Sequence, residues 1–140
     1  MARIKIKVQG KLVFEYQDQL RVTDMNYGNH LGNDKVLGLF HDARLKWMKS
    51  INQNELSFYG QGLIQHDAVI NYKSEAFCQD DIIVKLFVDD IDSRSFDIYY
   101  QMIHLNKGND IAIGKTGMTF FNYKDKKITN TPQLFIKDLQ

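Results

Sequence analysis

The sequence predicts an α+β domain in which one long, largely apolar helix lies against a curved antiparallel sheet of five or six strands. Two patterns carry that expectation. Between residues 33 and 51, Val36, Phe40, Ala43, Trp47 and Ile51 recur every three or four positions while Lys35, Asp42, Lys46 and Lys49 gather on another side, which is the period of a half-buried helix. Before and after that stretch, apolar and polar residues alternate with period two in segments separated by turn-forming residues, the pattern of strands that pair with their neighbours. A helix apolar on most sides needs a sheet to cover it, so the two patterns together imply a helix-on-sheet layer.

The chain begins with Ile4, Ile6 and Val8 in strand-like alternation, resumed by Leu12, Phe14 and Tyr16 after Gln9-Gly10 and carried on by Leu20 and Val22. A polar, glycine-containing loop from Asp24 leads into the helix. Asn33 is the expected N-cap with Asp34 in the first turn, and Lys46 and Lys49 suit the C-terminal end of the helix dipole. Leu37, Leu39, Leu45 and Met48 widen the apolar part, so the helix should be covered on most sides. Gly38 costs about 1 kcal/mol relative to alanine, which implies close packing there by a sheet or by a second copy of the helix. Residues 52–62 read as a short helical turn and loop. Strands are expected over Ile64 to Tyr72, Ile82 to Ile91, Phe96 to Leu105 and Ile111 to Tyr123, with Asn106 to Asp110 a strong hairpin signal. The tail after Pro132 should add a short helix or an edge segment. One strand layer covers one side of the helix only, so a homodimer or homotetramer with its site between subunits is expected.

At 140 residues the chain is long enough for one domain, residues 1–140, burying roughly two-thirds of its unfolded surface. Eighteen basic and 17 acidic residues are scattered along it, leaving no like-charge block for a nucleic-acid surface; the run Lys124 to Lys127 is broken by Asp125 and reads as a solvated turn. The single Cys78 excludes an internal disulfide framework and paired metal thiolates. No signal-peptide core and no run of 18 apolar residues occurs, so a cytoplasmic protein without a membrane partner is expected. Phosphate-loop, dinucleotide, serine-hydrolase and zinc-protease motifs are missing. His30, His41, His66 and His104 lie 11, 25 and 38 positions apart, so neither a metal nor another cofactor is expected.

The order of elements, with Asp24-Met-Asn26-Tyr-Gly-Asn-His30-Leu-Gly32-Asn33-Asp34 followed by Leu39-Phe-His-Asp-Ala-Arg44, resembles the hotdog-fold acyl-CoA thioesterases related to 4-hydroxybenzoyl-CoA thioesterase. Those proteins often carry a D-x-D-x-x-G-H-V-N-N loop and an F-x-E-A-R helix. The resemblance extends through Tyr72 to Asp81, Arg94-Ser95 and Lys127 to Pro132. It implies a hotdog fold and hydrolysis of an acyl-CoA thioester. The chain departs from the pattern at the family's second aspartate, catalytic in many members, which falls on Asn26. Asparagine can be neither a general base nor a carboxylate nucleophile. The glycine of the family's G-H pair is Asn29 here, and its N-N is Gly32-Asn33.

Thioester hydrolysis needs a polarised carbonyl and an activated water or a carboxylate nucleophile. Free N–H groups at the helix start, from Gly32 and Asn33 to Lys35, supply the first. Asp34 is the candidate for the second, with Asp24 behind it, while Asn26 and His30 would orient the water or bond the thioester oxygen. Lys73 and Arg94 are candidates for the phosphates of coenzyme A. Each residue also has a purely structural reading. Asn33 and Asp34 are ordinary first-turn residues, Asp24 and Asn26 common backbone-bonding loop residues, and Arg44 a helix-surface or interface ion-pair residue. Two further functions share the fold. Asp24-x-Asn26 followed by His30 resembles the D-x-N-P-x-H of hotdog enoyl-CoA hydratases, with Asp24 and His30 as the acid/base pair, although the proline is missing and the histidine comes one residue late. A non-catalytic acyl-thioester binder, or a partner-binding protein, would account for the loss of the carboxylate at Asn26.

Overall fold

In the computed structural model, which describes residues 2–140, β1 (Lys11–Gln19) precedes the long helix α1 (Asn33–Ser50). Then follow β2 (Gly62–Tyr72), β3 (Asp81–Asp89), β4 (Ser95–His104), β5 (Asp110–Asn122), the two-residue β6 (Lys127–Ile128) and the short helix α2 (Gln133–Leu139). Every pairing is antiparallel, in the order β1-β3-β4-β5-β2 with β6 on β5. This is the hotdog fold; β1 to β5 meet the sequence expectation within a residue or two at most ends, while β6 answers to no expected strand.

The alternation of each strand decides which residues face α1. Phe96, Ile98, Tyr100 and Met102 of β4, and Ile82, Val84, Leu86 and Val88 of β3, form the core with Phe40, Ala43, Trp47 and Met48 of the helix. Phe40 stacks on Tyr100 with ring centroids 4.8 Å apart. Gly114 of β5 makes room for that pair, because a Cβ there would lie 2.7 Å from the Phe40 ring. Gly114→Ala is therefore expected to overpack the helix contact and cost about 1–3 kcal/mol, read as a lowered Tm by calorimetry.

Arg44 is not at the surface as expected. It is 3% exposed, held under the helix by Glu55 Oε1 at 3.0 Å, Gln65 Oε1 at 3.1 Å and the Tyr100 hydroxyl at 3.1 Å. Burial pulls its pKa down, but Tyr100 and Glu55 outweigh that and raise it, so the guanidinium stays charged. Tyr100 shares its hydroxyl with Thr116, and Glu55 also meets His41. An aliphatic stem inside the core with a forked head reaching polar partners explains how an arginine occupies an apolar stripe.

Four further expectations change. Residues 4–8 alternate like a strand but join no ladder. Gln9 Nε2 donates to Asp90, and Ile6 N–H donates to Asn71 Oδ1 while Asn71 Nδ2 donates to the Ile4 carbonyl. The segment is thus pinned at both sides of the sheet and crosses the face opposite α1 as a strap, with Ile6 and Val8 half-buried. Alternation reports a two-sided environment, and a strap over a sheet provides one without pairing. Residues 52–61 form turns around the buried Phe58 and no helix. The helix is covered less than expected, with Leu37 and Leu45 37% and 43% exposed. Nothing lies within 4 Å of where a Gly38 Cβ would stand, so the sheet is not what packs there.

Candidate active site

The loop that precedes α1 is closed by its own polar groups. Asn26 N–H donates to the His30 carbonyl at 2.7 Å, and Asn26 Oδ1 accepts from the N–H groups of Gly28 and His30 at 2.9 and 3.1 Å. Asn29 sits at φ 63°, in the left-handed region where glycine is favoured and asparagine is the best substitute. That is why asparagine stands at the position where the resemblance places glycine. Leu31 N–H donates to the Ala76 carbonyl, and His30 pairs with Phe77, which dock the loop on the segment after β2. Asn26 is thus the fastener of the loop. Asn26→Ala would leave two amides without their acceptor and should cost about 1 kcal/mol, whereas Asn26→Asp keeps both acceptors and should leave Tm unchanged.

Helix α1 starts differently from the sequence expectation. Gly32, not Asn33, is the N-cap, in extended conformation at φ −70° and ψ 134°, and no side chain caps the helix. Gly32 N–H donates to the Asp24 carbonyl and Lys35 N–H to the Gly32 carbonyl. Of the amides expected to polarise a carbonyl, those two are engaged, and Asn33 and Asp34 N–H have no acceptor among the described residues. Asp34 folds its carboxylate back toward this opening, since a Cβ on Gly32 would lie 2.5 Å from Asp34 Oδ1. The side chain of Asp34 is exposed and makes no hydrogen bond or ion pair among the described residues.

Asp24 and His30 nearby both have partners. Asp24 Oδ2 accepts from Arg21 N–H at 2.8 Å and faces the Arg21 guanidinium at 3.9 Å. These contacts close the turn at Val22–Asp24. His30 Nδ1 lies 3.3 Å from Glu75 Oε1, with its ring edge-on to Phe77 at 5.0 Å between centroids.

The expected site residues fall on two sides of one wall. Asp24 and Asp34 line a groove of ≈420 Å³ along the helix, with Arg21, Lys35 and Asp42 at its sides and Gly38 in it. Asn26, His30, Asn33 and Lys73 line a second cleft of ≈340 Å³, with Tyr72 and Glu75. Asn33 and Asp34 are consecutive, so the two spaces flank the helix start on either side, with no lining residue in common. Asp24 and His30, required together for hydration, line different spaces. Arg94 lies in the turn between β3 and β4, whereas the loop docks beside the other end of the sheet, near Tyr72 and Ile111. One chain does not bring Arg94 to the site.

Sequence reasoning missed Tyr72, whose hydroxyl donates to the Asn33 carbonyl at 3.1 Å, and Asp42, which pairs with Lys46 at the edge of the groove. Asp42 had a signal, because it holds the acidic position of the F-x-E-A-R-like motif. Tyr72 opens the Tyr72 to Asp81 stretch that carries the resemblance, but the end of a strand does not announce which loop it meets. Among the described residues no group of three or more histidine, cysteine or acidic residues is placed to hold a metal, and no helix is long and apolar enough to cross a membrane.

The sequence profile of a known family matches residues 20–139 of the chain. The chain belongs to the thioesterase-like superfamily, and with it to the thioester hydrolases. Among solved structures, a 1,4-dihydroxy-2-naphthoyl-CoA thioesterase from Synechocystis superposes with a TM-score of 0.80 at 19% identity, over 90% of this chain and 94% of that one. A gentisyl-coenzyme A thioesterase gives 0.75 at 15% identity, over 88% and 99%. A DHNA-CoA thioesterase from Staphylococcus aureus gives 0.75 at 17% identity, over 88% and 83%. These likenesses are of fold. No match is found among curated proteins.

Proposed function

We propose that this thioesterase-superfamily protein hydrolyses an acyl-CoA thioester to the free acid and coenzyme A at the N-terminus of α1. The observation that carries the reading is Asp34: of the oxygens offered by Asp24, Asn26 and Asp34, only its carboxylate is free, and it stands beside the two amides that lack acceptors. In this reading the thioester carbonyl lies at the helix start between the two spaces, its oxygen toward Asn33 and Asp34 N–H, which stabilise the oxyanion as the carbonyl carbon becomes tetrahedral. Asp34 takes a proton from the attacking water, or itself attacks and forms an anhydride that water then opens; collapse breaks the C–S bond, and the departing thiolate takes up a proton. Label found on Asp34 after single turnover in ¹⁸O-water identifies the nucleophile route with water opening the anhydride at the Asp34 carbonyl, because the general-base route places label only in the product.

The groove is walled by Arg21, Lys35 and Asp42, and burying an alkyl chain against such groups would desolvate them. A compact, hydroxylated or aromatic acyl group fits better. The aromatic CoA thioesters in the names of two of the structural neighbours agree with that choice. A homodimer or homotetramer completes the site in this reading, since the exposed Leu37 and Leu45 and the outer edge of β2, an 11-residue terminal strand, are left for a second copy. The test is thiol release from aromatic, short, medium and long acyl-CoAs. Turnover highest on aromatic thioesters is expected; no release from any would reject the hydrolase reading.

A further inference from the structure

The strap formed by the N-terminal residues does more than cover the sheet. It is extended, so Arg3, Lys5 and Lys7 alternate with Ile4, Ile6 and Val8, and Asn71 fixes its position with both ends of one amide side chain, at 2.9 Å in each direction. That pin brings Arg3 and Lys5 to the end of β2, where they line a cleft of ≈420 Å³ with Asn71, Tyr72 and Lys73. Tyr72 and Lys73 also line the cleft that holds His30 and Asn33, so the two clefts adjoin. Three cations from segments nearly 70 residues apart thus converge at the outer end of the space that leads to the helix start. Glu75 lies in the inner cleft opposite His30.

We propose that Arg3, Lys5 and Lys73 form the binding site for the phosphates of the nucleotide end of coenzyme A, with the strap as one wall. The inference rests on the acyl-CoA reading above. The pantetheine arm then follows the cleft past Tyr72 to the open amides, and the acyl group enters the helix groove. Arg3 provides a planar fork for a phosphate and the two lysines provide point charges.

The experiment uses three thioesters of the acyl group that the panel prefers, on coenzyme A, on N-acetylcysteamine and on acyl carrier protein, with wild type, Arg3→Glu/Lys5→Glu and Asn71→Ala. The double variant is expected to raise KM for the CoA thioester about tenfold, as reversing two exposed charges near a polyanion does, with kcat unchanged and no effect on the N-acetylcysteamine thioester. Asn71→Ala keeps every charge but releases the pin, and should raise the same KM by a smaller factor. Adenosine 3′,5′-bisphosphate should inhibit wild type more strongly than the double variant. An unchanged KM for the CoA thioester in the double variant overturns the proposal while leaving the hydrolase intact, as does a KM effect confined to the carrier-protein thioester. If wild type hydrolyses none of the three, the functional reading has failed, and calorimetry with adenosine 3′,5′-bisphosphate decides the site alone: saturable binding lost in the double variant supports it, and no binding to wild type overturns it.

Discussion

Asp34→Asn is expected to lower kcat on the preferred acyl-CoA by about 10²–10⁴-fold, the usual contribution of a positioned general base, while leaving Tm within about 2 °C of wild type. The first half follows from chemistry, since the amide of asparagine cannot take a proton from water. The second follows from the surroundings: Asp34 is exposed and its carboxylate bonds to nothing among the described residues, and exposed substitutions of that kind stay within about 0.5 kcal/mol. Asp24→Asn makes the necessary contrast. Its carboxylate accepts the Arg21 amide and closes a turn, and an asparagine oxygen can still accept that bond, so kcat should stay within about threefold, in the range of a lost surface ion pair. Full activity in Asp34→Asn, measured by thiol release beside a thermal melt, would remove Asp34 from the mechanism. Loss in Asp24→Asn instead would move the carboxylate to the start of the loop.

The largest effect on stability should come from Arg44→Ala, which removes the charge that Glu55, Gln65 and Tyr100 share beneath the helix. Breaking a buried ion pair costs about 3–5 kcal/mol; Glu55 keeps 27% of its side chain exposed, which places the cost near the lower end, about 3 kcal/mol. For a chain of this size that is a fall in Tm of about 10 °C. Arg44→Lys retains a charge but cannot reach three acceptors from one planar head, so its Tm should lie between the two. A melt of Arg44→Ala within 2 °C of wild type, a margin of about 0.5 kcal/mol, would mean that the network contributes nothing net.

The sequence alone determined which elements form and in what order. Helical period between residues 33 and 51, strand period elsewhere, and the turn at Asn106 to Asp110 each report a local preference, and the structure realises them as α1, β2 to β5 and the β4–β5 hairpin. The loop proposed to carry the site also stood out in the sequence, as a polar, glycine-containing stretch ahead of the long helix. Local pattern could not say which polar atoms would be consumed. Asp24, Asn26 and Asp34 are equivalent as letters, and only the folded loop spends the oxygens of the first two on Arg21, Gly28 and His30 amides and leaves the third free. Arg44 read as a surface charge because its three partners lie 11, 21 and 56 residues away. The N-terminal alternation read as a strand because an extended segment over a sheet face has the same two-sided environment as a paired one. Whether a side chain is free, buried or pinned depends on distant chain brought beside it, and that is decided by tertiary packing.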